Sequence, residues 1–335
     1  MITTVLGEIP ADELGIASAH EHMYIDMRGC VDVTGNEPPV FRQPVTAENR
    51  YETFSDPYAM LDNALLDCEA DAEKELLLFK NAGGKTIVDC TLDEIGRDPL
   101  KLKRLSEKTG VHIVMGCGHY YHKAHFPYVK DASVETLANE LRRDILQGVG
   151  DTGVKAGLIG EIGTSATVTQ DEKKALQAAG IVGAETGKAV HVHTDLYTEN
   201  GFEVIDVLTR EGMKPEKICI DHVDVWLRPD YIRGLLDRGA FVEFDNFGKE
   251  FYVSEKRRFA YDLERIKVLA SLINEGYAGQ ILISNDICLK TMWCRYGGNG
   301  YAHILQTVRK MAYENGIGEN AYQSILSENV KKFLR

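Results

Sequence analysis

The chain has no long apolar run and no excess of positive charge, and each absence excludes a class of protein. No apolar stretch approaches the roughly 18–20 residues that a membrane-spanning helix needs. The net charge of −13 leaves no basic face for a phosphate backbone, which argues against a nucleic-acid partner. The same charge disfavours binding to anionic membranes, and the N-terminus lacks the charged and apolar segments of a secretory signal.

No two of the seven cysteines form a Cys-x-x-Cys motif, and their number is odd. Several lie in apolar runs, where a free thiol behaves as a small buried hydrophobe. This usage is typical of a reducing compartment rather than of a disulfide framework. Together with the missing signal segment, it leads us to expect a cytoplasmic protein.

What the chain does contain is eight apolar runs of strand length, each followed by an amphipathic helical pattern. The runs are continuous rather than alternating, as in strands buried on both faces of a parallel sheet. The predicted strands cover residues 15–22, 86–90, 112–117, 157–161, 189–193, 218–222, 240–245 and 280–286. The predicted helices cover residues 64–81, 100–109, 133–147, 170–186, 200–211, 228–238, 260–275 and 301–315, with a closing helix at 319–333.

Eight strand–helix repeats predict an α/β fold, namely a single (β/α)8 TIM barrel with a C-terminal helix. No linker interrupts the pattern, so we expect residues 1–335 to form one domain. A doubly wound open sheet is the alternative. It is the weaker one because no Gly-x-Gly-x-x-Gly motif follows the first predicted strand.

Histidine and carboxylate side chains recur at the ends of the predicted strands. In a strand, residues i and i+2 point to the same face, so His20 and His22 can reach one metal ion. Imidazole suits zinc and its neighbours. The other strand-end residues of this kind are Glu161, His191, His193, His222 and Asp286. Because barrel enzymes carry their active sites at the C-terminal ends of the strands, this placement predicts a metal centre.

This pattern resembles the phosphotriesterase family of the amidohydrolase superfamily over nearly the whole chain. The motifs that carry the resemblance are His20-Glu21-His22, residues 157–165, His193-Thr194, Asp221-His222 and Ser284-Asn285-Asp286. The resemblance implies two divalent metal ions bridged by a hydroxide and a side-chain carboxylate. It implies zinc first, with manganese or cobalt as alternatives. The more buried metal would be bound by His20, His22 and Asp286, and the more exposed one by His193 and His222.

The sequence departs from the best-known members of that family at the bridging position. Those members use a carboxylated lysine, whereas this chain has Gly160 and Glu161 there, and Lys155 lies too early. Glu161 resembles the bridging glutamate of the phosphotriesterase-homology branch. This difference argues against assigning phosphotriesterase activity to the chain from the resemblance alone.

Asp286 is interpreted as both a metal ligand and the catalytic proton acceptor. Two cations about 3.5–4 Å apart make hydroxide available near neutral pH, and a carboxylate beside them can pass its proton to the leaving group. The alternative is that Asp286 is a ligand only and that solvent carries the proton. His191 could be a ligand or a neighbour of the ligands, but the favoured interpretation is a packed or hydrogen-bonded histidine.

Basic residues follow the last two predicted strands, where barrels frequently bind phosphate. Lys249, Lys290 and Arg295 are therefore candidate substrate-binding residues, although a solvated surface is an open alternative. Tyr120 and Tyr121 are further candidates for the pocket wall, with aromatic packing under the long loop as an equal alternative. A group of three histidines follows the third strand, and a pocket wall is favoured over an extra metal site there; its members are His119, His122 and His125.

These residues predict a binuclear metal-dependent hydrolase that acts on ester bonds. A basic pocket favours a lactone or carboxylic ester with an anionic group, such as a phosphorylated sugar lactone. A phosphoester hydrolase is the first alternative, and a metal-binding barrel without catalysis is the second. The expected partner is a small molecule, and the oligomeric state is left open, with a homodimer as one option.

Overall fold

Eight parallel strands, each followed by a helix, surround a common axis in the computed structural model, which describes residues 1–335. The strands are β1 (Ala17–Glu21), β2 (Thr86–Asp89), β3 (His112–Met115), β4 (Ile159–Gly163), β5 (Val190–His193), β6 (Ile218–Ile220), β7 (Phe241–Phe244) and β8 (Ile281–Ile283). The helices are α1 (Glu69–Asn81), α2 (Pro99–Thr109), α3 (Val134–Leu146), α4 (Gln170–Thr186), α5 (Gly201–Arg210), α6 (Pro229–Asp237), α7 (Asp262–Asn274) and α8 (Thr307–Glu314).

The strands close into a barrel in sequence order. β1 to β3 form one parallel run and β4 to β8 form another. Backbone hydrogen bonds join the two runs: the amide of Gly160 donates to the carbonyl of Cys117 at 2.7 Å, and that of Asp286 donates to His20 at 3.2 Å. The predicted (β/α)8 barrel is thereby confirmed.

Alternation along the strands divides the core into two layers. Ala17, Ala19, Cys219, Phe241 and Leu282 belong to a cluster of 15 buried residues that fills the inside of the barrel. Their apolar neighbours on β6 to β8 face the helices and belong to a cluster of 69 buried residues; examples are Ile218, Ile220, Val242 and Ile281. The interior is therefore packed below the strand ends, as in other barrels, and leaves room only at the C-terminal end.

Two predicted helices differ from the structure at their N-termini. The sequence pattern predicts a helix over residues 64–81, but Leu65–Leu66 forms a short strand paired with Ile25–Asp26 before α1 begins. Residues 301–306 lie outside α8 because the buried Tyr301 hydroxyl donates to the carbonyl of His22 at 2.7 Å, which fixes that segment against the strand ends. Tertiary pairing overrides the helical pattern in both cases.

The C-terminal helix is present in three pieces. α9 (Glu319–Ser324) continues through one π-helical turn (Ile325–Asn329) into α10 (Val330–Leu334). Phe333 and Leu334 cover the lower end of the barrel interior, where they join the 15-residue cluster. None of the helices has the length and apolar character required to cross a bilayer.

Candidate functional site

Two irregularities in the strands turn the site residues toward the barrel axis. Ala17 and Ala19 face inward, and a register shift between Ser18 and Glu21 then changes the alternation at the end of β1. A second register shift lies between Ile159 and Ile162 in β4. Extra residues of this kind re-aim side chains next to active sites. At Gly160 the backbone has φ of 113° and an added Cβ would lie 2.3 Å from the carbonyl oxygen of His191, so only glycine fits there.

The six predicted metal-site residues lie together at the C-terminal end of the barrel. Nε2 of His20 and Nε2 of His22 each lie 3.4 Å from a carboxylate oxygen of Glu161. On the other side, Nδ1 of His193 lies 3.2 Å and Nε2 of His222 lies 3.4 Å from Oε2 of Glu161. Four histidines thus surround the Glu161 carboxylate.

Asp286 completes the set beside the first pair of histidines. Its Oδ1 lies 3.1 Å from Nε2 of His22 and 3.9 Å from Nε2 of His20. Glu161 belongs to two groups that could each hold a cation, one with His20 and His22 and one with His193 and His222. The arrangement can therefore accommodate two metal ions that share the Glu161 carboxylate.

The histidine rings are oriented by partners on their outer nitrogens. Nδ1 of His222 donates to Oδ1 of Asp245 at 3.0 Å, which leaves Nε2 with its lone pair toward the centre. Nδ1 of His22 pairs with the hydroxyl of Thr91 at 2.8 Å, and its Nε2 also faces the centre. Such outer partners fix the ring and the tautomer of metal-binding histidines.

His20 provides the test of whether a metal fits this centre. Its ring is fully buried, and neither nitrogen makes a hydrogen bond, although carboxylates lie close: Glu161 is 3.4 Å from Nε2, and Asp221 and Asp245 are each 3.5 Å from Nδ1. A buried polar atom without a partner is costly and calls for an unseen ion or water. The donor set of imidazole nitrogens and carboxylate oxygens is the set that zinc and similar ions prefer. The residues therefore fit divalent metal ions.

The electrostatics of the centre point the same way. Burial opposes the charged form of His22, but the Asp286 and Glu161 carboxylates outweigh it and raise its pKa to about 9. Burial likewise opposes ionisation of Asp286, but the Lys249 ammonium and the neighbouring histidines lower its pKa to about 2. The centre thus has a surplus of carboxylate that attracts positive charge, supplied by protons or by divalent cations.

Backbone strain is concentrated at the same place. His222 and Asp286 have φ of 61° and 45°, and they are the two non-glycine residues of the chain with positive φ. A positive φ is unfavourable for residues other than glycine. It persists where the surrounding structure enforces it, typically at functional sites. The strain aims both side chains into the centre from the ends of β6 and β8.

A buried polar layer lies directly beneath the centre. Nδ1 of His191 donates to Oδ1 of Asp221 at 2.8 Å, and the hydroxyl of Ser284 donates to Glu243 at 2.8 Å. Burial and the nearby Asp221 carboxylate raise the pKa of Glu243 well above its ordinary value. His191 is therefore a buried, hydrogen-bonded histidine, as the favoured interpretation of the sequence has it.

A cavity of about 640 Å³ opens above the centre. Its floor includes Glu161, His193, His222 and Asp286, and its walls come from the long segment before α1 and from residues 249–259. Apolar side chains form much of the wall; examples are Phe41, Tyr58, Leu196, Phe251 and Leu289.

Of the three basic residues predicted to bind substrate, only Lys249 lies in this cavity. Its side chain is buried, and its ammonium contacts the Asp286 carboxylate. The placement predicted for the other two requires correction. Lys290 pairs with Asp62 at 2.7 Å and Arg295 pairs with Asp71, so both are drawn away from the cavity by carboxylates elsewhere in the fold.

Of the two tyrosines considered for the pocket wall, Tyr120 lines the cavity and Tyr121 does not. The hydroxyl of Tyr120 lies 3.1 Å from Nδ1 of His193, and Tyr120 lines the cavity. Tyr121 is not among the lining residues, and its ring stacks beside His193 with centroids 6.2 Å apart. Gly163 packs closely against the backbone of this segment, where an added Cβ would lie 2.1 Å from the Tyr121 amide nitrogen.

Sequence reasoning missed the residues that orient the ligands. Asp245 and Thr91 each bind a histidine ring, and the backbone amide of His222 also donates to Asp245 at 3.0 Å. The sequence offered part of this signal, since Asp245 is the last residue of one predicted strand and Thr91 directly follows another. The strand-end position alone does not tell which ring each would contact.

We expect two divalent ions per chain in protein purified without chelator and without added metal. A ligand present at about 1,000 times its Kd stabilises the folded state by about 4 kcal/mol, so stripping both ions should lower Tm by several degrees. Elemental analysis and thermal melts before and after chelation measure both effects. A reproducible content of one ion, or an unchanged Tm after complete removal, would contradict this expectation.

Comparisons with known proteins agree with this geometry. Residues 1–334 match the model of the phosphotriesterase family. An N-acetyltaurine hydrolase of Xenopus tropicalis is 34% identical over 339 residues, which cover 99% of this chain and 97% of that protein. The resiniferatoxin-binding protein of Rhodobacter sphaeroides has a TM-score of 0.96 and 32% identity, covering 99% of this chain and 94% of that one. A lactonase of Listeria monocytogenes has a TM-score of 0.81 and 25% identity, covering 100% and 98%. The chain therefore belongs to the phosphotriesterase family and is a hydrolase.

Proposed function

We propose that this hydrolase cleaves an amide or ester bond of a carboxylic acid in a small anionic substrate. N-acyl derivatives of amino sulfonates or amino carboxylates are the first candidate class. The observation that carries the proposal is Lys249, a buried cation in the cavity directly beside the candidate metal ligand Asp286. The similarity to N-acetyltaurine hydrolases supports the amide class, because N-acetyltaurine joins an acetamide to a sulfonate.

Lys249 has the geometry needed to bind an anion next to the scissile bond. An ammonium has three donors, and Lys249 directs two of them to the Asp286 carboxylate and, at 3.5 Å, to Sγ of Cys288. One donor remains for a substrate group. Because Lys249 is buried, a sulfonate, carboxylate or phosphate would gain a charge-assisted hydrogen bond there with little competition from water.

The residues of the centre divide the chemistry between them. His20, His22, Glu161, His193, His222 and Asp286 would hold the two metal ions. When bound, such ions supply an activated water and polarise the scissile carbonyl. Asp286 takes the proton that water releases as it adds to the carbonyl carbon. The same carboxylate then delivers that proton to the leaving nitrogen or oxygen, so that the acid and the amine or alcohol separate.

A lactone with an anionic substituent is the second candidate substrate. The observation in its favour is the similarity to the lactonase of Listeria monocytogenes, which extends over the whole chain. Lactone and amide hydrolysis use the same attack on a carboxylic carbonyl, so one centre can serve either. The two reactions differ in the leaving group. Hydrolysis of a lactone opens the ring, so the alcohol and the acid remain in one molecule, whereas hydrolysis of an amide releases a separate amine.

The proposed function is tested by assaying the metal-loaded protein against a matched panel. The panel holds N-acetyltaurine, N-acetylated amino carboxylates, phosphorylated sugar lactones and phosphate triesters, with zinc, manganese and cobalt as alternative metals. Turnover of an anionic amide or lactone is the expected result, with zinc the expected metal. Turnover of phosphate triesters alone, or no turnover of any carboxylic amide or ester with any of the three metals, would overturn the proposal.

Replacing Lys249 by methionine should lower kcat/KM for an anionic substrate relative to its neutral analogue. A charge-assisted hydrogen bond of about 1.5–3 kcal/mol corresponds to a loss of roughly 10–200-fold. N-acetyltaurine and N-ethylacetamide form a suitable pair, since they differ by the sulfonate. The ratio of their kcat/KM values cancels any effect that acts through Asp286, which both substrates share.

Arg295→Met is the matched control, because Arg295 lies outside the cavity and its side chain is 54% exposed. It should leave the ratio unchanged. Equal losses for the anionic and the neutral substrate in Lys249→Met would argue against an anion-binding role.

A further inference from the structure

A second group of metal-type side chains lies outside the centre, where the segment after β3 meets the start of α4. It consists of His122, His125 and Asp171, each of which offers one ligand atom within 4.8 Å of the other two. Nδ1 of His122 lies 3.5 Å from Oδ2 of Asp171. Zinc bonds of about 2.0–2.1 Å in a tetrahedron separate two ligand atoms by about 3.4 Å, so this spacing fits a shared ion.

The protonation pattern of His125 leaves it ready to bind a metal. Its Nε2 lies 2.7 Å from the carbonyl oxygen of Tyr120, and a carbonyl can only accept, so Nε2 carries the proton. Nδ1 therefore keeps its lone pair, and this atom is buried without a hydrogen-bond partner. Burial lowers the pKa of His125, which favours the neutral imidazole. Metal-binding histidines show this arrangement, in which the outer nitrogen donates to a backbone carbonyl.

The two carboxylate oxygens of Asp171 face different partners. Oδ1 faces the ammonium of Lys174 at 3.5 Å, and Oδ2 faces His122. Lys174 itself is held by three backbone carbonyls of the segment after β3, those of Val129, Lys130 and Ala132. The ion pair between Asp171 and Lys174 at the start of α4 accounts for the position of Oδ1. It does not account for the position of Oδ2 beside His122 or for the His125 nitrogen that has no partner.

We propose that His122, His125 and Asp171 form a third metal site, which binds one zinc-like divalent ion with water at the remaining position. The side chain of His122 is 56% exposed, which gives the ion a route from solvent. The site links the segment after β3 to the N-terminus of α4. Since His125 also holds the carbonyl of Tyr120, whose hydroxyl contacts His193, a bound ion braces the wall of the catalytic cavity.

Titration of the full chain with zinc chloride tests the site, starting from protein whose central pair of ions is already loaded. Calorimetry and elemental analysis should detect one further equivalent, accompanied by a rise in Tm. His125→Ala and Asp171→Asn should weaken this equivalent by more than about 100-fold, since even an outer partner of a ligand contributes 10–100-fold to affinity. The two central ions should remain in both variants.

Two further variants keep the test decisive. His122→Asn alters a side chain that is 56% exposed, and it should also remove the third equivalent. His112→Ala removes a histidine at the start of β3, at the opposite end of the barrel, and should leave the third equivalent intact. Saturation at two ions in the unaltered protein, or a third equivalent lost equally in His112→Ala, would overturn the proposal.

Discussion

Replacing Glu161 by glutamine is expected to lower the occupancy of both central metal ions and kcat/KM together, by roughly 100- to 1,000-fold or more. Glutamine keeps the size and shape of the side chain but removes the charge. Breaking a buried charge pairing by removing one partner costs about 3–5 kcal/mol. Because the Glu161 carboxylate belongs to both candidate metal groups, one substitution weakens both.

Elemental analysis and steady-state kinetics on the same samples measure the Glu161 effect. Glu140→Gln is a suitable control, since Glu140 contacts His119 and Tyr128 outside the centre, and it should leave the metal content unchanged. Two ions and ordinary kcat/KM in Glu161→Gln would show that another group joins the metals. Lys155 cannot take that place in this fold, because it is exposed and precedes β4.

The positions of the strand-end histidines and carboxylates could be predicted because the strand–helix unit repeats along the chain. Eight runs of similar length each bring their last residues to one end of the barrel, so His20, Glu161, His193, His222 and Asp286 converge whatever the details of the loops. The register shifts in β1 and β4 were not predictable in this way. They depend on how neighbouring strands pair, which no single run encodes.

The substrate side of the site was harder to predict because it consists of loops. Lys249, Lys290 and Arg295 all follow the last two predicted strands, yet Lys290 pairs with Asp62 and Arg295 pairs with Asp71. Those carboxylates lie more than 200 residues away in sequence, so their proximity is a property of the folded chain. Charged groups on loops are positioned by such long-range partners rather than by local pattern.

Asp286→Asn is expected to lower kcat by about 100- to 10,000-fold, the usual contribution of a positioned acid or base, while KM changes little. Asparagine cannot accept the proton, but it tolerates the left-handed conformation that residue 286 adopts at φ of 45°. The backbone and the cavity should therefore survive the change. The loss is consequently assigned to chemistry rather than to folding, which thermal melts of the variant can verify.

The kinetics of Asp286→Asn separate its two candidate roles when they are repeated at saturating metal. If the Asp286 carboxylate only binds a metal, excess metal ion would restore the occupancy of the site in the variant, and kcat would recover with it. A carboxylate that also moves the proton would leave kcat low even with two ions bound. The contact between Lys249 and Asp286 orients the carboxylate, because an ammonium at one oxygen directs the other toward His22. Recovery of kcat at full occupancy would show that solvent carries the proton instead.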